Sequence, residues 1–158
     1  MDGLFVLPLR QGPLWNFSYL VACEATRTAA VIDPPWDTAA ILAAAAGQGL
    51  NIRWVLLTHS HSDHANGVAA VVEATGATVF VHESEASGLS DHFSGPAEVA
   101  VPGKTLPLGE VEVRALHTPG HSAGSLSFLA GGRLFAGDTL HVGGMGRPGP
   151  DRDAVEAL

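Results

Sequence analysis

Cysteine is nearly absent. Cys23 stands alone, which excludes a disulfide framework and a cysteine-built zinc site. A lone thiol makes a reducing compartment, the cytoplasm, the expectation. Positive charge is scarce too: Lys104 is the only lysine, and 8 Lys+Arg face 16 Asp+Glu for a net charge of −8. With no basic patch, no nucleic-acid partner is expected. Long apolar runs are missing. The longest, Ala39 to Ala46, falls far short of the roughly 20 residues that span a bilayer, so no membrane partner is expected. The opening Met-Asp-Gly lacks a basic stretch, which predicts no signal peptide. Charged residues are only 15% against 46% apolar, the reverse of a disordered composition. At 158 residues the chain suits one domain, 1–158, with a core of its own.

The apolar pattern divides into two halves, each with strands followed by a helix. Leu4 to Leu7 reads as a strand. Phe17 to Glu24 and Thr28 to Asp33 read as a hairpin turning at Thr26-Arg27, ended by Pro34-Pro35. Asp37 or Thr38 caps a helix running to Gln48. Ile52 to Leu57 is a buried strand, Asn66 to Thr75 a helix stopped by Gly76, and Thr78 to Val81 a strand. From Ser84 to Lys104 the chain reads as irregular with one short helix. Strands return at Val111 to Leu116, Ser125 to Leu129 and Arg133 to Ala136. Asp151 to Leu158 reads as a helix just begun, so the chain is expected to be incomplete at its C-terminus.

Chemistry concentrates in Thr58-His59-Ser60-His61-Ser62-Asp63-His64, directly after a buried strand. His59 and His61 lie two apart, so in an extended segment they share a side, and Asp63 continues the alternation. His64, where the next helix starts, turns elsewhere. One strand end can thus serve two neighbouring cations, and imidazole with carboxylate suits zinc, iron or manganese. Thr118-Pro119-Gly120-His121-Ser122 and Gly137-Asp138-Thr139 each put one more ligand-type residue after a strand, beside glycine. Singly each is weak. Together the three make one constellation.

These motifs resemble the metallo-beta-lactamase superfamily: the His-x-His-x-Asp-His run at 59–64, Pro119-Gly120-His121 and Gly137-Asp138, with Asn16 to Val21 and Ala30 to Pro34 also fitting. The resemblance implies an α/β fold, a four-layer αββα sandwich with metals at one edge. Carried over by position, it gives His59, His61 and His121 to a first metal, Asp63 and His64 to a second, and Asp138 to both. Two divalent ions, zinc first and iron or manganese as alternatives, are the cofactors implied. Such a pair can share an activated water and hold a substrate carbonyl, and Asp63 would orient the hydroxide. The family's last histidine, from a Gly-His pair near the C-terminus, has no match, since no histidine follows His141. A fragment of a longer protein is the favoured explanation. His141 as a substitute and a single-metal site are the others.

Gly137-Asp138-Thr139-Leu140 and Gly144-Met145-Gly146-Arg147-Pro148 look like the glyoxalase II and persulfide dioxygenase group. There a basic residue at the Arg147 position binds a carboxylate of the thiol substrate, a task for which a planar guanidinium is suited. The expected function is a glyoxalase II-like thiolesterase acting on a small-molecule thioester or glutathione-type substrate. The alternative is a mononuclear iron persulfide dioxygenase using His59, His121 and Asp138. Pro148 and Gly149 replace the aromatic that follows the basic residue in typical thiolesterases, which weakens the classical glyoxalase II assignment, but the hydrolase reading rests on more of the motif, because only a second metal needs Asp63 and His64. A lactonase or a degenerate metal-binding domain ranks lower. An uncovered face of the second half would allow a homodimer. His82 is expected to be a structural hydrogen-bond donor, and His117 a support for neighbouring ligands.

Overall fold

In the computed structural model, residues 3–101 and 103–149 are described; the helix expected at Asp151 to Leu158 lies outside them. A six-stranded sheet has spatial order β1-β2-β3-β4-β5-β6, and a four-stranded sheet the order β10-β9-β8-β7. The first sheet comprises β1 (Leu4–Gln11), β2 (Asn16–Cys23), β3 (Thr28–Ile32), β4 (Asn51–Leu56), β5 (Thr78–His82) and β6 (Ala97–Ala100). The second comprises β7 (Thr105–Leu108), β8 (Val111–His117), β9 (Leu126–Ala130) and β10 (Arg133–Phe135). A small hairpin, β11 (Leu140–His141) with β12 (Gly144–Met145), follows.

Strand periodicity assigns the two faces of the first sheet. Leu20, Ala22, Ala29, Val31, Val79 and Val81 point toward helices α1 (Thr38–Gly47) and α3 (Val68–Thr75), meeting Ile41, Val68 and Val71. The alternate residues Val21, Ala30, Ile32 and Phe80 point toward the second sheet, meeting Leu108, Val113, Ala115 and Phe128. Strands buried on both faces read as continuous apolar runs, which is why β3 and β5 were visible in the sequence. The described residues thus form three layers, helix, sheet and sheet. The outer helices that would complete a four-layer sandwich are not among them.

Local chemistry sets the helix ends. Asp37 accepts from Ala40 N–H at 3.0 Å and caps α1, a contact worth about 1 kcal/mol. Gly76, at φ 68°, ends α3 in the left-handed conformation expected of it. The stretch 84–104 departs from expectation. It carries the short helix α4 (Ala86–Leu89), but also β6, which pairs in parallel with β5 as an edge strand. Ala-Glu-Val-Ala is too short and mixed to announce itself. β7 also went unforeseen, because Pro107 argues against a strand; it sits at the edge of its sheet, where proline is tolerated.

Parallel pairing of β3 with β4 and of β4 with β5 brings their C-terminal ends side by side. Thr58 carbonyl accepts from Leu126 N–H at 2.8 Å, tying the end of β4 to the start of β9 and closing the gap between the sheets. The histidines of the 59–64 run, His121 and Asp138 all lie at this edge.

Candidate metal centre

Four imidazoles converge at the edge. The His59 ring lies 4.6 Å from His61, 4.2 Å from His64 and 4.8 Å from His121, centroid to centroid. Donor atoms of His59, His61 and His121 all fall within 4.8 Å of one another, and so do those of His59, His64 and Asp138. Asp138 stands between the two sets, with Oδ1 3.3 Å from His64 Nε2 and Oδ2 3.6 Å from His121 Nε2.

Asp63 arrives by a different route from the one expected. Residues Ser62–Ala65 form a one-turn helix, α2, starting after His61, so the alternation of an extended chain ends at His61. Asp63 therefore sits on a helical turn. Asn16, the first residue of β2, donates its amide to Asp63 Oδ2 at 2.8 Å and to the Asp63 carbonyl at 3.1 Å. That grip leaves Oδ2 3.7 Å from His64 Nε2.

Three of the rings have their outward nitrogen committed, which fixes what the inward nitrogen offers. Asp33 is buried at the end of β3. Its carboxylate accepts from Thr58 N–H at 2.7 Å and from the Thr58 hydroxyl at 2.6 Å. With its proton committed to Asp33, Thr58 Oγ1 can only accept from His59 Nδ1 at 3.0 Å. His59 Nε2 is then a bare lone pair, and it is a buried atom with no hydrogen-bond partner. His64 Nδ1 donates to Asp33 Oδ2 at 3.0 Å. His121 Nδ1 donates to the Arg147 carbonyl at 2.9 Å, since a carbonyl can only accept. Metal-ligating histidines typically hold their second nitrogen in this way. The orphaned His59 Nε2, with the committed Nδ1 of His59 and of His121, fits a divalent cation.

Charge follows the same geometry. Burial, then the neighbouring His64, His61 and His121, push His59 down to about 2, so it stays neutral. Burial opposes charge on His64 as well, yet hydrogen bonds to Asp138 and Asp33 push it up to about 10. The hydrogen bond from His64 holds Asp138 well below the usual carboxylate range despite its burial.

Arg147 is exposed, and its backbone carbonyl, not its guanidinium, is what touches the histidine cluster. A Cβ on Gly146 would overlap the Asp138 carbonyl and one on Gly149 would overlap the His121 carbonyl, so the loop closes over the site only with glycine there. His141 is exposed on the β11–β12 hairpin and belongs to neither donor set. His82 accepts from Ser84 N–H at 3.2 Å, the reverse of the donor role expected, and stacks on His117 with centroids 4.4 Å apart. Asn16, Asp33 and Thr58 were missed as functional residues. The signal available was their position: Asp33 and Thr58 follow two adjacent buried strands.

The profile of the metallo-beta-lactamase superfamily matches residues 12–157. The chain belongs to this superfamily. It is 42% identical over 133 residues to a hydroxyacylglutathione hydrolase of Anaeromyxobacter dehalogenans, covering 83% of this chain and 48% of that protein. Among solved structures it is similar to ETHE1 from Myxococcus xanthus, at 34% identity and TM-score 0.78, covering 90% of this chain and 61% of that one. It is also similar to the di-iron-bound form of TTHA1623, at 31% identity and TM-score 0.80, covering 96% and 83%. The chain spans about half the length of the curated relatives it matches. Among the described residues no helix is long and apolar enough to cross a membrane.

Proposed function

We propose that this chain carries the metal centre of a thioester hydrolase of the glyoxalase II type, taking a glutathione-type thioester to a carboxylic acid and a free thiol. The observation that carries the reading is that the two donor sets share His59, whose buried Nε2 has no hydrogen-bond partner. Similarity to a hydroxyacylglutathione hydrolase at 42% identity supports the substrate class. His59, His61 and His121 would hold one divalent ion, and Asp63 and His64 a second, with Asp138 shared. Zinc is the first choice and iron or manganese the alternatives. When bound, such a pair supplies hydroxide near neutral pH and polarises a carbonyl.

The chain's own residues do the rest. Asp33 and Thr58 fix the rings of His59 and His64 so that no reorganisation is needed when charge develops. Asn16 holds the Asp63 carboxylate, so that Asp63 would be placed to orient the hydroxide that the bound pair supplies. Arg147, exposed beside His121, would take a carboxylate of the thiol moiety through its guanidinium fork. In the test, zinc-dialysed chain is given a glutathione thioester, and Asp138→Ala is the control. Asp138→Ala is expected to keep its fold by circular dichroism while losing metal and turnover. Full metal and full activity in that variant would contradict the site assignment.

A second reading is a single-iron dioxygenase acting on a glutathione persulfide. The Gly146-Arg147-Pro148 sequence, without a following aromatic, favours it. Oxygen uptake with glutathione persulfide, in place of thioester cleavage, would select it.

A further inference from the structure

Glu85 is a buried carboxylate that the reaction above does not use. It follows β5, on a 3-10 turn at Glu83–Glu85, and is 5% exposed. One oxygen, Oε2, accepts from Ser60 N–H at 2.9 Å and from the Ser60 hydroxyl at 2.6 Å. The other, Oε1, accepts from Gly124 N–H at 3.0 Å. Ser60 lies between His59 and His61, and Gly124 three residues after His121. One carboxylate therefore joins the two loops that carry the three imidazoles of the first donor set.

The packing around it leaves no slack. A Cβ on Gly124 would stand 2.6 Å from Glu85 Cγ and 2.8 Å from Oε1. A Cβ on Gly88, on α4, would overlap the Ser60 hydroxyl. Burial would raise the Glu85 pKa, but hydrogen bonds from the Ser60 and Ser122 side chains and the Ser60 and Gly124 amides bring it below the ordinary carboxylate value. A buried charge is a costly way to staple loops if stability alone is needed. Its benefit is geometric, since only a carboxylate accepts from both loops at once.

We propose that Glu85 is a positioning residue for the metal centre: it sets the separation of the His61 and His121 loops, and so the 3.0 Å approach of His61 Nδ1 to His121 Nε2. The proposal rests on the metal-centre reading above. Partners that orient ligands typically change metal affinity by about 10–100-fold when lost. In Glu85→Gln an amide NH2 must face one of the two N–H donors, so one loop is released.

The test is zinc competition against a chromophoric chelator, with the absorption spectrum of the cobalt-substituted protein, on wild type, Glu85→Gln and Glu83→Gln. Glu83 is the exposed neighbouring carboxylate. Glu85→Gln is expected to bind zinc about 10–100-fold more weakly and to shift the cobalt spectrum, while Glu83→Gln matches wild type. Wild-type affinity and spectrum in a folded Glu85→Gln would overturn the proposal and leave the metal centre standing. A wild-type chain that binds no zinc would overturn both. If Glu85→Gln does not fold, Ser60→Ala, which keeps Glu85 and removes only the hydroxyl contact, is expected to weaken zinc several-fold. An unchanged affinity there would overturn the proposal.

Discussion

His59 and His64 form the floor of the candidate centre, 1% and 3% exposed, whereas His61 and His121 stand at its rim, one exposed and the other half-buried. The floor rings are held by side chains rooted in the first sheet: Asp33 at the end of β3 and Thr58 after β4. The rim rings are held by the Arg147 carbonyl, by each other, and, through their loops, by Glu85. The floor is therefore as rigid as the core beneath it. The rim depends on the exposed contacts of His121 with Arg147 and His61, and on the buried link through Glu85.

Breaking the floor has the largest expected effect. Asp33→Asn keeps the shape and tolerates the left-handed backbone at φ 48°, but an amide cannot accept from Thr58 N–H, Thr58 Oγ1–H and His64 Nδ1–H together. The expected loss is about 1–3 kcal/mol of stability in urea unfolding, with zinc affinity falling about 10–100-fold. Unchanged zinc affinity in a folded Asp33→Asn would mean that the floor does not orient the rings.

An acid titration sharpens the comparison at the loop contacts. The folded pKa of Glu85 lies below its unfolded value, so its contribution to stability is present above about pH 4.3 and is lost as pH falls through the folded value. Unfolding free energy of the wild-type chain should therefore fall more steeply below pH 5 than that of Glu85→Gln. Parallel curves would show that Glu85 gains nothing from its partners.

The smallest expected effect belongs to Arg147. Its backbone carbonyl does the holding, and the side chain is exposed, so Arg147→Ala should leave metal affinity unchanged. KM for a glutathione thioester should rise with kcat little altered, the pattern of lost ground-state binding. An equal rise in KM for a substrate without the glutathione carboxylates would argue against the guanidinium's role.

The residues brought together at the edge were legible in the sequence because histidines seldom cluster after a buried strand without a use. The strands that carry them were legible because both faces of the first sheet are buried, leaving runs such as Ala29 to Ile32 unbroken by polar residues. What escaped was of two kinds. Edge strands β6 and β7 owe their pairing to neighbours, and neither Ala-Glu-Val-Ala nor a strand holding Pro107 shows that locally. The supports Asn16, Asp33 and Glu85 are distant in the chain from what they hold, 25 residues for Asp33 with Thr58 and for Glu85 with Ser60, whereas Thr58 holds its neighbour His59 only because Asp33 takes its proton. Their roles come from tertiary geometry alone. The expected alternation at Asp63 failed for a local reason: the chain turns helical at Ser62, one residue after His61.

Elemental analysis of the chain, purified without added metal and then dialysed against zinc, tests the central claim most directly. The account predicts about two divalent ions per chain, falling in Asp138→Ala, with glutathione-thioester cleavage following the metal content. A folded chain that retains no ion would contradict it, and a single iron per chain with oxygen uptake in place of hydrolysis would contradict the hydrolase reading.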